Sequence, residues 1–105
     1  MTAPALIITD HAEDRYKSRS GLPRRTVTKS AGRAMAHGIT ADDAAGMLRR
    51  YLQSRENGTA IAYCGMVYIF SGPTLVTVYP IPAKLRKTAA KLQREKRVKE
   101  TGCKT

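Results

Sequence analysis

The sequence predicts an α+β fold, with helices packed on one face of a curved antiparallel β-meander in the order β-α-α-α-β-β-β-α. Three observations lead there. Two capping-box sequences mark helix starts, the second of them ahead of apolar residues at helical spacing. Three strand-sized apolar runs then follow one another across connections short enough to require antiparallel neighbours. A basic segment with a thin apolar stripe begins directly after Pro80-Ile81-Pro82.

Taken in order, Ala5 to Ile8 reads as a short first strand. Asp10-His11-Ala12-Glu13 has the form of a capping box with Asp10 as N-cap, so a helix is expected from His11 to about Ser20, stopped by Gly21. Pro23 suits the first turn of a second helix, in which Val27, Ala31, Ala34 and Met35 share a face and Gly38 supplies the stop. Thr40-Ala41-Asp42-Asp43 is a second capping box, opening a third helix with Ala44, Met47, Leu48, Tyr51 and Leu52 inward and Asn57-Gly58 at its end. Strands are expected over Thr59 to Cys64, Met66 to Phe70 and Thr74 to Tyr79, turned at Gly65 and at Ser71-Gly72-Pro73. In the last strand, simple alternation puts Leu75, Thr77 and Tyr79 on one face and Val76 and Val78 on the other. Leu85, Ala89 and Leu92 give the final segment a narrow apolar stripe, which suits a basic helix docked weakly or formed on binding.

The 105 residues fit one α+β domain over 1–82 with a basic C-terminal helix or tail over 83–105. With 42% hydrophobic residues the chain can build a core, though a small one. No apolar run approaches the roughly 20 residues that span a bilayer, and no basic stretch followed by an apolar one opens the chain. A cytoplasmic protein with no membrane association is therefore expected. Cys64 and Cys103, far apart and without a CxxC or a His pair, suggest reduced thiols and neither a zinc site nor a disulfide framework.

Charge is the dominant feature. Nineteen Lys and Arg against eight Asp and Glu leave a formal net charge of +11, a field that favours polyanions. Nine of those cations, against two Glu, fall in residues 83–105. Lys84, Arg86, Lys87, Lys91 and Arg94 of this segment are candidate nucleic-acid contacts. A second basic set, Lys17, Arg24, Arg25, Lys29 and Arg33, lies in a stretch from Lys17 to Arg33 that holds no acidic residue to form i, i+4 ion pairs. An uncompensated basic face calls for a polyanion.

The first helix carries the chemistry. His11, Arg15 and Arg19 recur every fourth residue, on one face that drifts by only ~40° over two turns. Guanidinium forks grip phosphoryl oxygens and an imidazole moves protons, so this stripe is a candidate phosphate site. The competing reading is a histidine packed on the sheet with solvated arginines around it. Thr77 and Tyr79 bring a hydroxyl and a phenol to one face of the last strand, although β-propensity alone accounts for both residue types there. His37 beside Gly38 reads as a helix C-terminal residue, and Tyr63, Tyr68 and Phe70 read as core. The acidic residues cluster only within one capping turn, so no metal site and no cofactor is expected; HExxH, a Gly-rich phosphate loop and Gly-x-Ser-x-Gly are all missing from the chain.

The string from Ile8 to Gly21, with His11, Ala12, Arg15, Arg19 and Gly21 as its fixed points, resembles the opening of small bacterial and phage proteins of the RelE/ParE-like toxin type. Their wider relatives are the barnase, EndoU, colicin and RelE ribonucleases, and Thr77-Val78-Tyr79 is similar to the Ser/Thr-x-Tyr of the last strand in EndoU-type enzymes. The chain departs from that group in having a third helix, and in having no second His aligned with the EndoU pair. The resemblance implies a RelE-like fold and metal-independent RNA cleavage, in which the ribose 2′-OH attacks the neighbouring phosphate to leave a 2′,3′-cyclic phosphate and a 5′-OH. It also implies roles: His11 as general base or acid, Arg15 and Arg19 on the phosphate, Thr77 orienting a phosphate oxygen, and Tyr79 as the partner acid or a base-stacking wall.

Two functions follow as expectations. The first is a small RNA-binding, toxin-type endoribonuclease, acting on free RNA or the ribosome and countered by an acidic antitoxin or partner protein. The second is a phage-type or accessory protein without chemistry, which binds nucleic acid or blocks a nucleoprotein such as a host defence complex through its basic face.

Overall fold

Thr9, extended at φ −74° and ψ 156°, starts the first helix: its hydroxyl accepts from the Ala12 N–H, so the N-cap lies one residue before the expected Asp10. In a computed structural model of the chain, which describes residues 6–54 and 58–101 apart from the side chains of Arg24 and of 97–101, this helix is α1 (Asp10–Ser20). It ends at Gly21, whose φ of 76° is the left-handed cap conformation. Before it lies a two-residue strand, β1 (Ile7–Ile8); Ala5 is outside the described residues. A 3₁₀ turn, Arg24–Thr26, follows Pro23 and leads into α2 (Val27–His37), which stops at Gly38 as expected. A Cβ on Gly38 would meet Ile61 Cγ2, so only glycine lets the helix end approach the sheet this closely.

The second capping box forms, with Thr40 and Asp43 bonded reciprocally, but it opens only the 3₁₀ turn Ala41–Asp43. The helix α3 (Gly46–Gln53) begins three residues later. Leu48 and Leu52 are buried in it and Tyr51 is half-buried, whereas Met47 is 60% exposed: the face that meets the sheet is centred on the i, i+4 pair Leu48 and Leu52.

Strands β2 (Thr59–Tyr63), β3 (Met66–Ser71) and β4 (Thr74–Pro80) form the expected antiparallel run. The sheet as a whole is mixed rather than antiparallel, in the order β1-β4-β3-β2, because β1 joins β4 in parallel. Between Ile69 and Phe70 the register shifts: Ile69 faces Thr77 but Phe70 faces Leu75, leaving Val76 as the extra residue of a bulge. The bulge inverts the alternation expected around it. Leu75 joins Val78 on one face, and Val76 packs with Tyr79 on the other.

Helices cover both faces, not one. On the first, Ala12, Tyr16, Val27, Ala31 and Ala34 from α1 and α2 bury Ile61, Tyr68, Phe70, Leu75 and Val78. On the second, α3 packs beside the last helix, α4 (Ala83–Thr101), over Ala60, Ala62, Val67 and Ile69. The apolar stripe of α4 is thus part of a core, with Leu85 and Ala89 buried and Leu92 packed against them. Lys96 fixes the far end of α4, its Nζ 2.8 Å from both the Gly38 carbonyl and Asp43 Oδ2. Among the described residues no helix is long and apolar enough to cross a membrane.

Candidate nucleic-acid interface

The helix α1 stands against the edge of β4 that β1, only two residues long, leaves open. Side chains of this segment satisfy the edge carbonyls. The Thr9 hydroxyl donates toward Leu75 O at 3.2 Å and Val76 O at 3.3 Å, and Arg19 Nη1 donates to Val78 O at 2.9 Å. The expected stripe therefore divides by role. Arg19 is anchored to the sheet, while His11 and Arg15 stay exposed, with Arg15 Nε making a long 3.5 Å contact to His11 Nε2.

Thr77 and Tyr79 are not brought to that stripe. They oppose Ile69 and Val67 in the register, on the face that α3 and α4 cover, whereas α1 packs on the other face. Both are half-buried there. The extra helix thus covers the sheet face on which the expected hydroxyl and phenol lie.

What the fold does bring together is α1 with α2. Arg25, Lys29 and Arg33 are all exposed, as is Lys17, while the side chain of Arg24 lies outside the described residues. Arg33 and Arg19 meet at a cleft of about 360 Å³ between the two helices and the β2–β3 end of the sheet. Tyr16, Ser30 and Tyr68 line it from within, and Tyr63, Cys64 and Met66 close it on the strand side. Among the described residues that line this cleft there is no Asp or Glu. Two arginines from different helices therefore line a concave site with no carboxylate in its described wall, an arrangement that favours a positive potential.

A chain of hydroxyls sets the polarity of the cleft floor. Thr26 Oγ1 donates to Pro23 O at 2.8 Å, so its single proton is committed and Tyr16 must donate in their 2.9 Å contact. The Tyr16 oxygen then accepts from Ser30 Oγ, 2.8 Å away. Burial pushes the Tyr68 phenol well up, the neighbouring Tyr16 phenol adds to this, and a hydrogen bond with Ser30 opposes it. Tyr68 consequently remains a neutral hydroxyl. No buried side-chain nitrogen or oxygen lacks a partner among the described residues.

The strand-side wall of the cleft is a strained turn. Cys64 has φ 49° and Gly65 φ 80°, the two left-handed residues of a two-residue hairpin. Gln93 of α4 holds it, its Oε1 accepting from the Cys64 N–H at 2.8 Å. Lys84, Arg86, Lys87, Lys91 and Arg94 lie exposed on the outer surface of α4, with Arg86 also donating to Ile81 O at 3.4 Å.

The residues that sequence reasoning missed are Tyr16, Ser20 and Ser30. The signal was present: Tyr16 falls four residues after the inward Ala12, and Ser30 three after the inward Val27. Polar groups at inward positions of two adjacent helices imply a shared network. Tyr63 and Tyr68 serve both as core and as cleft wall. His37 is exposed at the end of α2. Among the described residues no group of three or more His, Cys, Asp or Glu could hold a metal ion. Comparison with known proteins finds no matching family model, no matching curated protein and no matching solved structure.

Proposed function

We propose that the chain is a small RNA-binding protein whose nucleic-acid face is the layer formed by α1 and α2. The observation that carries this reading is the meeting of Arg19 and Arg33, from two different helices, at a tyrosine-lined cleft whose described lining has no carboxylate. Lys17, Arg25 and Lys29 extend the basic surface beside it, and the exposed cations of α4 add affinity without selectivity. RNA, free or within a nucleoprotein such as a ribosome or a defence complex, is the partner of this surface; an acidic protein would compete for it. The RelE-like fold remains part of this proposal and rests on the resemblance of the Ile8–Gly21 string.

One observation favours a second reading, the metal-independent endoribonuclease. Arg15 Nε lies 3.5 Å from His11 Nε2, so an imidazole that can move a proton and a guanidinium that can hold a phosphate stand side by side on α1. The reading is weakened by the position of Tyr79 on the other face of the sheet, away from that imidazole.

The test is incubation of the protein with end-labelled RNA in EDTA at low and high salt, beside Lys29→Gln/Arg33→Gln and His11→Ala. Binding without cleavage is expected, released by salt, with the double variant weaker by about tenfold and a salt slope shallower by about one to two units. Cyclic-phosphate ends produced by the wild type but not by His11→Ala would replace this reading with the endoribonuclease. Failure of every RNA to bind at low salt would defeat both.

A further inference from the structure

We infer that the cleft between α1, α2 and the β2–β3 turn receives one unpaired nucleotide, with its phosphate between Arg19 and Arg33 and its base against Tyr63. The protein then selects single-stranded over duplex RNA. This inference rests on the RNA-binding reading above and specifies the ligand of that surface.

Shape makes the first distinction. The cleft holds about 360 Å³ and is concave, near the small end of the about 300–1,000 Å³ that ligand pockets span. The bases of a duplex are stacked inside it, so a duplex presents convex phosphate ridges that cannot fill such a cavity. An unpaired base can be splayed out of its strand into one.

Chemistry makes the second. The rim is cationic, with Arg19 and Arg33 both exposed, while the interior presents the partly exposed Ser30 beside the apolar Met66, over the buried Tyr16 and Tyr68. A ligand that matches must be anionic at one end and flat, with hydrogen-bonding edges, at the other. A nucleotide has that form; a free phosphate uses the rim alone, and a peptide of Asp and Glu brings charge but no ring to the interior. Tyr63, half-buried at the end of β2, offers the aromatic wall.

Preorganisation makes the third. The 2.9 Å bond from Arg19 Nη1 to Val78 O fixes the guanidinium plane, and four further N–H groups remain for an anion. Because the floor hydroxyls are already ordered through Thr26 and Pro23, little freedom is lost when a base arrives. Gln93 holds the turn at Cys64, so the strand-side wall is fixed from the opposite layer of the molecule.

The experiment is fluorescence anisotropy with labelled hexauridylate and a labelled RNA duplex, on the full chain, on Tyr63→Leu and on Arg33→Gln, with thermal melts of all three. The wild type is expected to prefer the single strand by about tenfold. Tyr63→Leu should remove that preference through loss of single-strand affinity. Arg33→Gln should weaken single-strand binding and lower the salt slope by about one unit. Uridine monophosphate should displace hexauridylate more effectively than inorganic phosphate. Should Tyr63→Leu fail to fold, photocrosslinking of 4-thiouridine RNA to the wild type decides, with adducts expected in the peptide containing Tyr63. Equal affinity for strand and duplex, a preference that survives Tyr63→Leu, phosphate as effective as the monophosphate, or crosslinks confined to α4 would each overturn the inference while leaving RNA binding intact. Binding of no RNA of either kind would overturn the RNA reading itself.

Discussion

On one face of the sheet α1 and α2 meet large side chains with polar tips, Tyr68 among them, together with Phe70 and Val78. On the other, α3 and α4 meet Ala60, Ala62, Val67 and Ile69. Small residues let the second helix pair close down on the sheet; one gap there among the described residues, lined by Ile39, Asp43, Leu92, Glu95 and Lys96, is about 90 Å³. The aromatic face leaves a cleft of about 360 Å³ where its helices diverge from the sheet end. Charge runs the opposite way. The densest run of cations lies over residues 83–105, most of them on the outside of the closed layer. Charge density by itself therefore did not mark the candidate site. Convergence did: two arginines from different helices at one concave place.

The largest effect should come from breaking the closed layer. A chain ending at Pro82 would uncover Leu48, Leu52, Ile69 and Ile81, which Leu85 and Ala89 help to bury. Loss of the cooperative melt and strong binding of a hydrophobic dye are expected. A melt unchanged within a few degrees would show that residues 83–105 are a separable tail after all.

The open layer should respond more mildly, and through polar groups. Tyr16→Phe keeps the buried ring but removes the hydroxyl that joins Thr26 and Ser30, at 2.9 and 2.8 Å. A loss of about 1–2 kcal/mol in denaturant unfolding is expected, since both partners sit near a cleft that water can enter. A loss near 4 kcal/mol would mean that the network, not the apolar packing, holds α1 to α2.

Local signals carried much of the fold. Gly21 and Gly38 ended their helices as expected, and the Leu85/Ala89/Leu92 stripe marked the buried side of α4. What failed was non-local. No spacing in the sequence announces that β1 will join β4 in parallel, or that Val76 will be the extra residue of a bulge. That bulge decides which face Leu75 and Val76 occupy, so an alternation argument that ran through it was inverted there. The site was legible in part for the same reason. Arg19 and Arg33 stood out as uncompensated charge, but their meeting depends on how two helices cross, which periodicity does not encode.

The turn that links the two layers offers a gain. Cys64 holds φ 49° next to Gly65, a position where asparagine is better tolerated than other side chains. Cys64→Asn keeps the backbone N–H that Gln93 accepts and should stabilise the chain by up to about 1 kcal/mol, read as a raised Tm. A lowered Tm would show that the 3.6 Å contact of Gln93 Nε2 with the Cys64 sulfur outweighs the backbone strain.

The smallest effect concerns the clamp that closes the α3/α4 side. Partial burial pushes the Asp43 carboxyl up, but hydrogen bonds from Lys96, the Thr40 N–H and the Thr40 hydroxyl outweigh it and hold the carboxyl below its ordinary value. A carboxyl depressed on folding stabilises the folded state above its unfolded pKa of about 3.9, and that increment is lost as pH falls through the folded value. Lys96→Met removes the 2.8 Å ion pair but leaves the two Thr40 bonds, so the increment should shrink without vanishing. With side-chain exposures of 24% and 33% the pair is well screened, and the change at neutral pH should stay below about 1 kcal/mol. Urea unfolding at pH 7 and at pH 3 should therefore show the variant losing less stability than the wild type between the two. An equal loss in both proteins would assign the pH dependence to the Thr40 cap alone, leaving the Lys96 bond to the Gly38 carbonyl as what ties the end of α4 to the end of α2.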